Sequence, residues 1–234
     1  MPTTKFYQLN NSASKGFSWG KLEYFLIPRI FYYLFYFPLK AIFKLFSHFK
    51  VQTQEDLKNL QGPLVVVSSH ASWIDPFLIG AAFPFLTKAA PIYYATWWKY
   101  YYFPIFTPLI WLFGGFPIRK GIGLDKALVA ASKILSQGGI VGIFPAGKRT
   151  RKWNEPYQPR AKRGAGYLAI KNSAPILPIK IEGNVGMNFK SFLRRKYKIK
   201  VKIGKVFYLS YQDLNNPENL NYPANLIMNK ITNL

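Results

Sequence analysis

Long apolar runs alternate along this chain with short polar breaks marked by glycine or proline. The first run, residues 23–49, reads EYFLIPRIFYYLFYFPLKAIFKLFSHF. Pro28 and Pro38 break it, and Arg29, Lys40 and Lys44 interrupt it. A spanning helix needs ~20 predominantly apolar residues, far more than lie between Arg29 and Lys40. The pattern predicts a pair of interfacial helices whose cations snorkel to the surface, with a core hairpin as the competing expectation. Residues 51–62 are polar and end at the breaker Gly62-Pro63. A strand over 64–68 follows. A helix then runs through PFLIGAAF, with Ser72 or Asp75 as its expected cap and Pro76 tolerated in the first turn.

No charge falls between Lys99 and Arg119, but Pro104, Pro108, Gly114 and Gly115 punctuate that stretch. A strand near 92–96, a buried or interfacial helix near 98–112 and a short strand near 115–118 are expected; a transmembrane span is the alternative. Leu124, Leu128, Ala131 and Leu135 recur at helical spacing before Gly138-Gly139. Residues 140–144 read as a buried strand and 160–172 as a helix. Strands are expected over 175–183 and 198–209, then a closing helix over 221–234. Strands alternating with helices predict one α/β domain, its central, mostly parallel or mixed sheet flanked by helices. The expected organisation is a flexible tail over 1–20, an apolar helical membrane-docking segment over 21–50, and the α/β domain over 51–234.

Composition changes the picture in two ways. The formal charge is +23, from 32 Lys+Arg against 9 Asp+Glu. Such an excess seeks an anionic partner. Many cations sit beside apolar and aromatic stretches, which favours an anionic membrane surface, where each nearby cation is worth about 1 kcal/mol. No RNA-recognition, helix-turn-helix or zinc-finger signature is present, so no specific nucleic acid is expected. The absence of cysteine excludes disulfides, thiolate zinc sites and a cysteine nucleophile. The first 20 residues lack an apolar signal core, so a peripheral or monotopic position on the cytoplasmic face of a membrane is expected.

Candidate chemistry begins at SSHASWID. His70 is one of two histidines and Asp75 one of nine acidic residues, set at the end of an apolar strand. A carboxylate one turn on can hold one ring nitrogen protonated and leave the other basic. A core histidine beside a capping aspartate would give the same spacing. Ser68, Ser69 and Ser72 read as turn or cap residues, because no GxSxG elbow surrounds them. Further segments pair glycines with cations, as an anion cradle requires: GGFPIRKG with Arg119 and Lys120, FPAGKRTR with Gly147, Lys148, Arg149 and Arg151, and AKRGAG with Lys162 and Arg163. No metal is expected, since His70 and Asp75 alone make no zinc or iron site and His48 has no ligand neighbour.

From about Pro63 to Gly183 the chain resembles the glycerolipid acyltransferases typified by 1-acylglycerol-3-phosphate acyltransferase. HASWID is similar to the family's HxxxxD block, GGFPIR to its second, FPAGKRT to its third (usually FPEGTRS), and ILPIKIEG, with Pro178, to its fourth. The resemblance implies that His70 is the catalytic base and Asp75 its orienting partner. It implies a phosphate-binding set of Arg119, Lys120, Gly147, Lys148, Arg149, Lys162 and Arg163, with Pro145, Ala146 and Gly147 as the oxyanion loop. The implied acceptor is a lysophospholipid, foremost 1-acylglycerol-3-phosphate. The donor is acyl-CoA or an acyl carrier protein thioester, and no further cofactor is implied. Ala146 stands where the family usually has glutamate, and Lys148 where threonine is common, which bears on the acceptor headgroup. The aromatics around Trp97, Trp98 and Trp111 are expected to line an acyl tunnel, dip into the headgroup layer, or form ordinary core. A non-catalytic lipid-binding protein on the same fold is the competing class.

Overall fold

The computed structural model describes residues 21–103, 105–150, 159–210 and 217–234. The expected tail over 1–20 and Arg151 lie outside the described residues. Among these described residues seven strands form one sheet: β1 Lys50–Thr53, β2 Leu64–Ser68, β3 Ile92–Trp97, β4 Gly115–Ile118, β5 Ile140–Ile143, β6 Ile176–Glu182 and β7 Lys200–Ile203. Their order is β1-β7-β6-β2-β5-β3-β4. Strands β6, β2, β5, β3 and β4 all run parallel, whereas β7 is antiparallel to β6 and carries β1 parallel to itself. The expected mixed, mostly parallel sheet is therefore present.

Among the described residues eight α-helices surround it: α1 Lys21–Ser47, α2 Asp75–Ala82, α3 Phe106–Leu112, α4 Leu124–Ala127, α5 Val129–Ser136, α6 Gly164–Lys171, α7 Phe189–Leu193 and α8 Asn221–Thr232. Strand β2 is buried throughout and sends alternate residues to two cores. Leu64 and Val66 join the core under α1 and α2, with Ile79 and Phe43. Val65 and Val67 join the core under α5, α6 and α8, with Leu135, Leu168 and Ile227.

Several sequence expectations change. Residues 21–47 form one helix, not two, although Pro28 and Pro38 lie inside it. A proline removes one helical hydrogen bond, but tertiary contacts along the inner face outweigh that loss. Tyr36, Phe43 and Ser47 are buried. Tyr36 donates to the Phe83 carbonyl at 2.8 Å, and Arg29 donates twice to the Ala90 carbonyl. Neither Ser72 nor Asp75 caps α2; Ile74 is its N-cap residue and makes no side-chain cap bond. The expected helix over 98–112 divides into a 3-10 turn, Trp98–Tyr102, and α3. The amphipathic helix after Gly123 divides into α4 and α5, because Leu128 leaves helical geometry (φ −109°, ψ 10°) and buries its side chain. The strand expected over 198–209 is ordered only as β7, followed by a bridge from Phe207 to Ile176. Edge strand β1, exposed at all four residues, replaces part of the polar segment expected over 51–62.

Candidate active site

Every parallel strand delivers its C-terminal end to the same edge of the sheet, and the candidate residues follow those ends. His70 comes two residues after β2. Its Nδ1 lies 2.9 Å from Oδ2 of Asp75, which is fully buried, while the His70 side chain is 17 % exposed. The same Oδ2 accepts the N–H of Ala71 at 2.8 Å and of Ser72 at 2.9 Å. The carboxylate expected to cap the next helix therefore closes the preceding loop. Oδ1 accepts Nδ2 of Asn184 at 2.6 Å. Both oxygens of the buried carboxylate are therefore met by hydrogen-bonding groups. With a carboxylate accepting at Nδ1, the tautomer this geometry favours is the one that leaves Nε2 without a proton.

The Phe144 ring lies flat on the imidazole, centroids 3.9 Å apart, and Tyr94 stacks on the other side of Phe144. Gly142 makes this stack possible: a Cβ there would come within 2.4 Å of the Tyr94 ring. The Tyr94 hydroxyl is buried without a hydrogen-bond partner. Burial first, then the Asp75 charge and Tyr32, push it well above the ordinary tyrosine range, so it stays neutral at working pH.

The loop after β5 is tied to this pair. Thr150 N–H donates to the His70 carbonyl at 2.8 Å, and Lys162 N–H to that of Pro145 at 2.8 Å. Gly147, at φ +66°, closes a turn with its N–H on the Phe144 carbonyl at 2.9 Å. Of the three residues expected to form an oxyanion loop, Pro145 has no N–H and that of Gly147 is taken by the Phe144 carbonyl. Ala146 itself is buried.

The cations divide into two groups. Lys120 Nζ donates to the Gly147 carbonyl at 2.6 Å, joining the loops after β4 and β5. The Lys162 stem packs against Gly147, and Lys148 and Arg149 are exposed on the same loop. Arg119 lies over the Trp98 ring, 5.3 Å from its centroid. Arg163 donates instead to Asn221 Oδ1 at 2.9 Å, at the start of α8.

An apolar cavity opens between α1, α2 and the start of β3, walled by Tyr32, Tyr36, Phe77, Tyr94 and Phe113. Of the aromatic stretch 92–113, Ile92, Tyr94 and Phe113 face it, whereas Trp97, Trp98 and Trp111 do not. The tryptophans expected to line a tunnel are placed elsewhere: Trp97 is exposed beside Lys99, and Trp98 supports Arg119. Among the described residues no group of three or more His, Cys, Asp or Glu could hold a metal ion.

Three contributors escaped the sequence reading: Phe144, Tyr94 and Asn184. Phe144 sits inside a recognised block but reads there as strand. Asn184 directly follows the fourth block, and its one signal was a polar residue just past a buried strand.

Comparison with known proteins converges on one group. Residues 48–182 match the family model described as Acyltransferase. The chain is 28% identical over 168 residues to a 1-acyl-sn-glycerol-3-phosphate acyltransferase of Bacillus subtilis (strain 168), covering 71% of this chain and 77% of that protein. The fold is similar to the crystal structure of the 1-acyl-sn-glycerophosphate (LPA) acyltransferase PlsC from Thermotoga maritima, with a TM-score of 0.54 and 19% identity. That likeness covers 89% of this chain and 95% of the other.

Proposed function

The chain belongs to the acyltransferase family, and from that premise we propose that it moves a fatty acyl group from a thioester to the free hydroxyl of a lysophospholipid, with 1-acylglycerol-3-phosphate as acceptor and phosphatidic acid as product. The observation that carries this reading is the buried Asp75 carboxylate on Nδ1 of a part-exposed His70, beneath a loop bearing Lys148 and Arg149.

In the proposed reaction His70 Nε2 takes the acceptor's hydroxyl proton as that oxygen attacks the thioester carbonyl carbon. The carbonyl π pair moves onto oxygen, where the Ala146 N–H is the loop's available donor. Collapse expels the thiolate, which takes the proton from His70. No covalent enzyme intermediate forms. Lys120, Lys148, Arg149 and Lys162 surround the β4 and β5 loops and bind the acceptor phosphate by charge-assisted bonds. Arg119 joins them across the Trp98 ring; Arg163, engaged with Asn221, is the cation least available to it. The acyl chain enters the apolar cavity between α1 and α2. The donor carrier, coenzyme A or an acyl carrier protein, meets the same basic rim.

Membrane docking belongs to α1. Leu26–Ser47 is long and apolar enough to cross a bilayer by length and composition. One face is bonded to the α/β body along its length, while Leu26, Ile30, Leu34, Phe37 and Leu45 form an exposed stripe. Such a helix lies in the interface with its bare stripe in lipid. At its C-terminal end, α7 adds exposed Phe189 and Leu193 beside Lys190, Arg194, Arg195 and Lys196, which suits an anionic cytoplasmic leaflet.

The test is acyl transfer by detergent-solubilised protein from both thioester donors to a panel of lysolipids. Transfer to lysophosphatidic acid that disappears in His70→Ala supports the reading. Transfer to another lysolipid alone moves the acceptor. No transfer by folded protein that still binds lipid makes it a lipid-binding member of the fold.

A further inference from the structure

We propose that Asn184 is a positioning residue for the His70–Asp75 pair, fixing the carboxylate's rotation so that Oδ2 stays aimed at Nδ1; this rests on the reading of His70 as base. The loop from His70 to Asp75 supplies Oδ2 with two N–H donors of its own, from Ala71 and Ser72. Those bonds hold one oxygen and leave the carboxylate plane undetermined. The second oxygen is held from 109 residues away, by Asn184 Nδ2 at 2.6 Å. Three atoms then define the plane, and Oδ2 cannot swing off the imidazole.

The chain is built to deliver that amide. Strands β6 and β2 stay joined past the end of β2: Ser69 N–H donates to the Ile179 carbonyl, and Ile181 N–H to Ser69 Oγ at 2.8 Å. The backbone then turns at Gly183, φ +82°, where a Cβ would lie 2.0 Å from the Lys198 carbonyl. Only glycine fits that turn, and the next side chain lands on Asp75. Asn184 is 1 % exposed, and its Oδ1 has no hydrogen-bond partner. A buried acceptor left unpaired is costly, so an amide is a poor choice here unless its donor has work on Asp75. Strand packing alone would be served by an apolar residue of similar shape.

Kinetics and histidine NMR test this together. The two rings, His48 and His70, can be told apart in 15N-histidine-labelled protein with a His48→Gln variant. Tyr94 on β3 feels the Asp75 charge and has Tyr32 of α1 beside it, and burial keeps both neutral; the cations Lys148 and Arg149 stand on the loop bonded to the His70 carbonyl. Asn184→Ala and the near-isosteric Asn184→Asp should each lower kcat by about ten- to hundredfold, as loss of an outer partner to a working histidine does. KM for donor and acceptor should hold within about twofold, because neither substrate touches Asn184. The acid limb of the rate profile should move in both, because Asp75 loses its amide donor in Asn184→Ala and two buried carboxyl groups at this separation share one proton in Asn184→Asp. The His70 ring signals should show a loss of the Nδ1–H tautomer. Asn184→Asp keeps the shape, so it remains informative if Asn184→Ala misfolds. Folded variants with wild-type kcat, pH profile and His70 tautomer overturn the proposal. If the wild-type protein transfers no acyl group, the functional reading fails separately, and the tautomer measurement still decides whether Asn184 positions the pair.

Discussion

The loop carrying His70 and the outer face of α1 are opposites. Around His70 the side chains answer one another: Asp75 meets four donors, Phe144 covers the ring, and Thr150 anchors the carbonyl. On α1 the inner face is bonded to the body, and the outer face presents Leu34 at 62 % and Ile30 at 50 % exposure, with Phe37 resting one side of its ring on Phe85. The first region is finished by the fold itself. The second is left bare among the described residues. On the proposed reading, precision sits where chemistry needs a fixed geometry, and incompleteness sits where a lipid partner needs none.

The sharpest way to break the contrast is at the closed end. His70→Ala should cost 10²–10⁴-fold or more in kcat with little change in lipid binding, measured by acyl transfer and vesicle sedimentation side by side. Asp75→Asn should cost roughly 10³–10⁴-fold, because an amide can turn its NH₂ toward the imidazole and favour the wrong tautomer. Retention of more than about a tenth of the wild-type rate in either variant would remove the general-base mechanism.

At the open end, Ile30→Glu with Leu34→Glu should weaken partition into anionic vesicles by at least about tenfold, from two exposed apolar groups worth roughly 1.5–3 kcal/mol each when fully buried. Thermal unfolding should barely move, as substitutions on exposed surface are usually within about 0.5 kcal/mol. An equal loss in Tm would mean that the stripe packs against protein. Added salt should weaken the same vesicle binding, more for anionic than for zwitterionic lipid.

The smallest effect concerns a surface cluster remote from both regions. Asp125 accepts from Lys171 and from the Tyr167 hydroxyl, and these bonds hold its carboxyl below the ordinary range. Asp125 in turn holds the Lys171 ammonium above its usual value. The carboxylate's share of stability is present above the unfolded aspartate value and is lost as pH falls through the lower folded one. The ammonium's share is present below the unfolded lysine value and is lost as pH rises through the raised one. Asp125→Asn should therefore give a slightly lower Tm at neutral pH that converges with wild type in acid.

Much of the fold was legible because the strands are short apolar runs bounded by glycine or proline. Leu64–Ser68, Gly115–Ile118 and Ile140–Ile143 fall where the pattern places them. Edge strand β1 was hidden because all four residues are exposed and no apolar alternation marks it. Helix α1 was read as two because proline rules are local, while the bonds that keep it whole reach Phe83 and Ala90 far along the chain. At the candidate site, His70 and Asp75 could be paired from spacing because they are five residues apart. Asn184 could not, because its bond depends on strand order, which spacing does not encode. Lys120 and Gly147 were both singled out, but their contact depends on β3 lying between β4 and β5.

The sheet's polarity has a consequence for how such a protein can diverge. Strands β2, β4, β5 and β6 end at a common edge, and each contributes its part of the candidate site in the few residues beyond its last hydrogen-bonded pair. The loop after β5 is only partly free of the cores: Ala146 is buried in the one under α5, α6 and α8, whereas Lys148 and Arg149 are exposed. On the proposed reading, headgroup preference can drift at Lys148 and Arg149 while Ala146, Phe144 and Thr150 keep the loop fastened to the core and to His70.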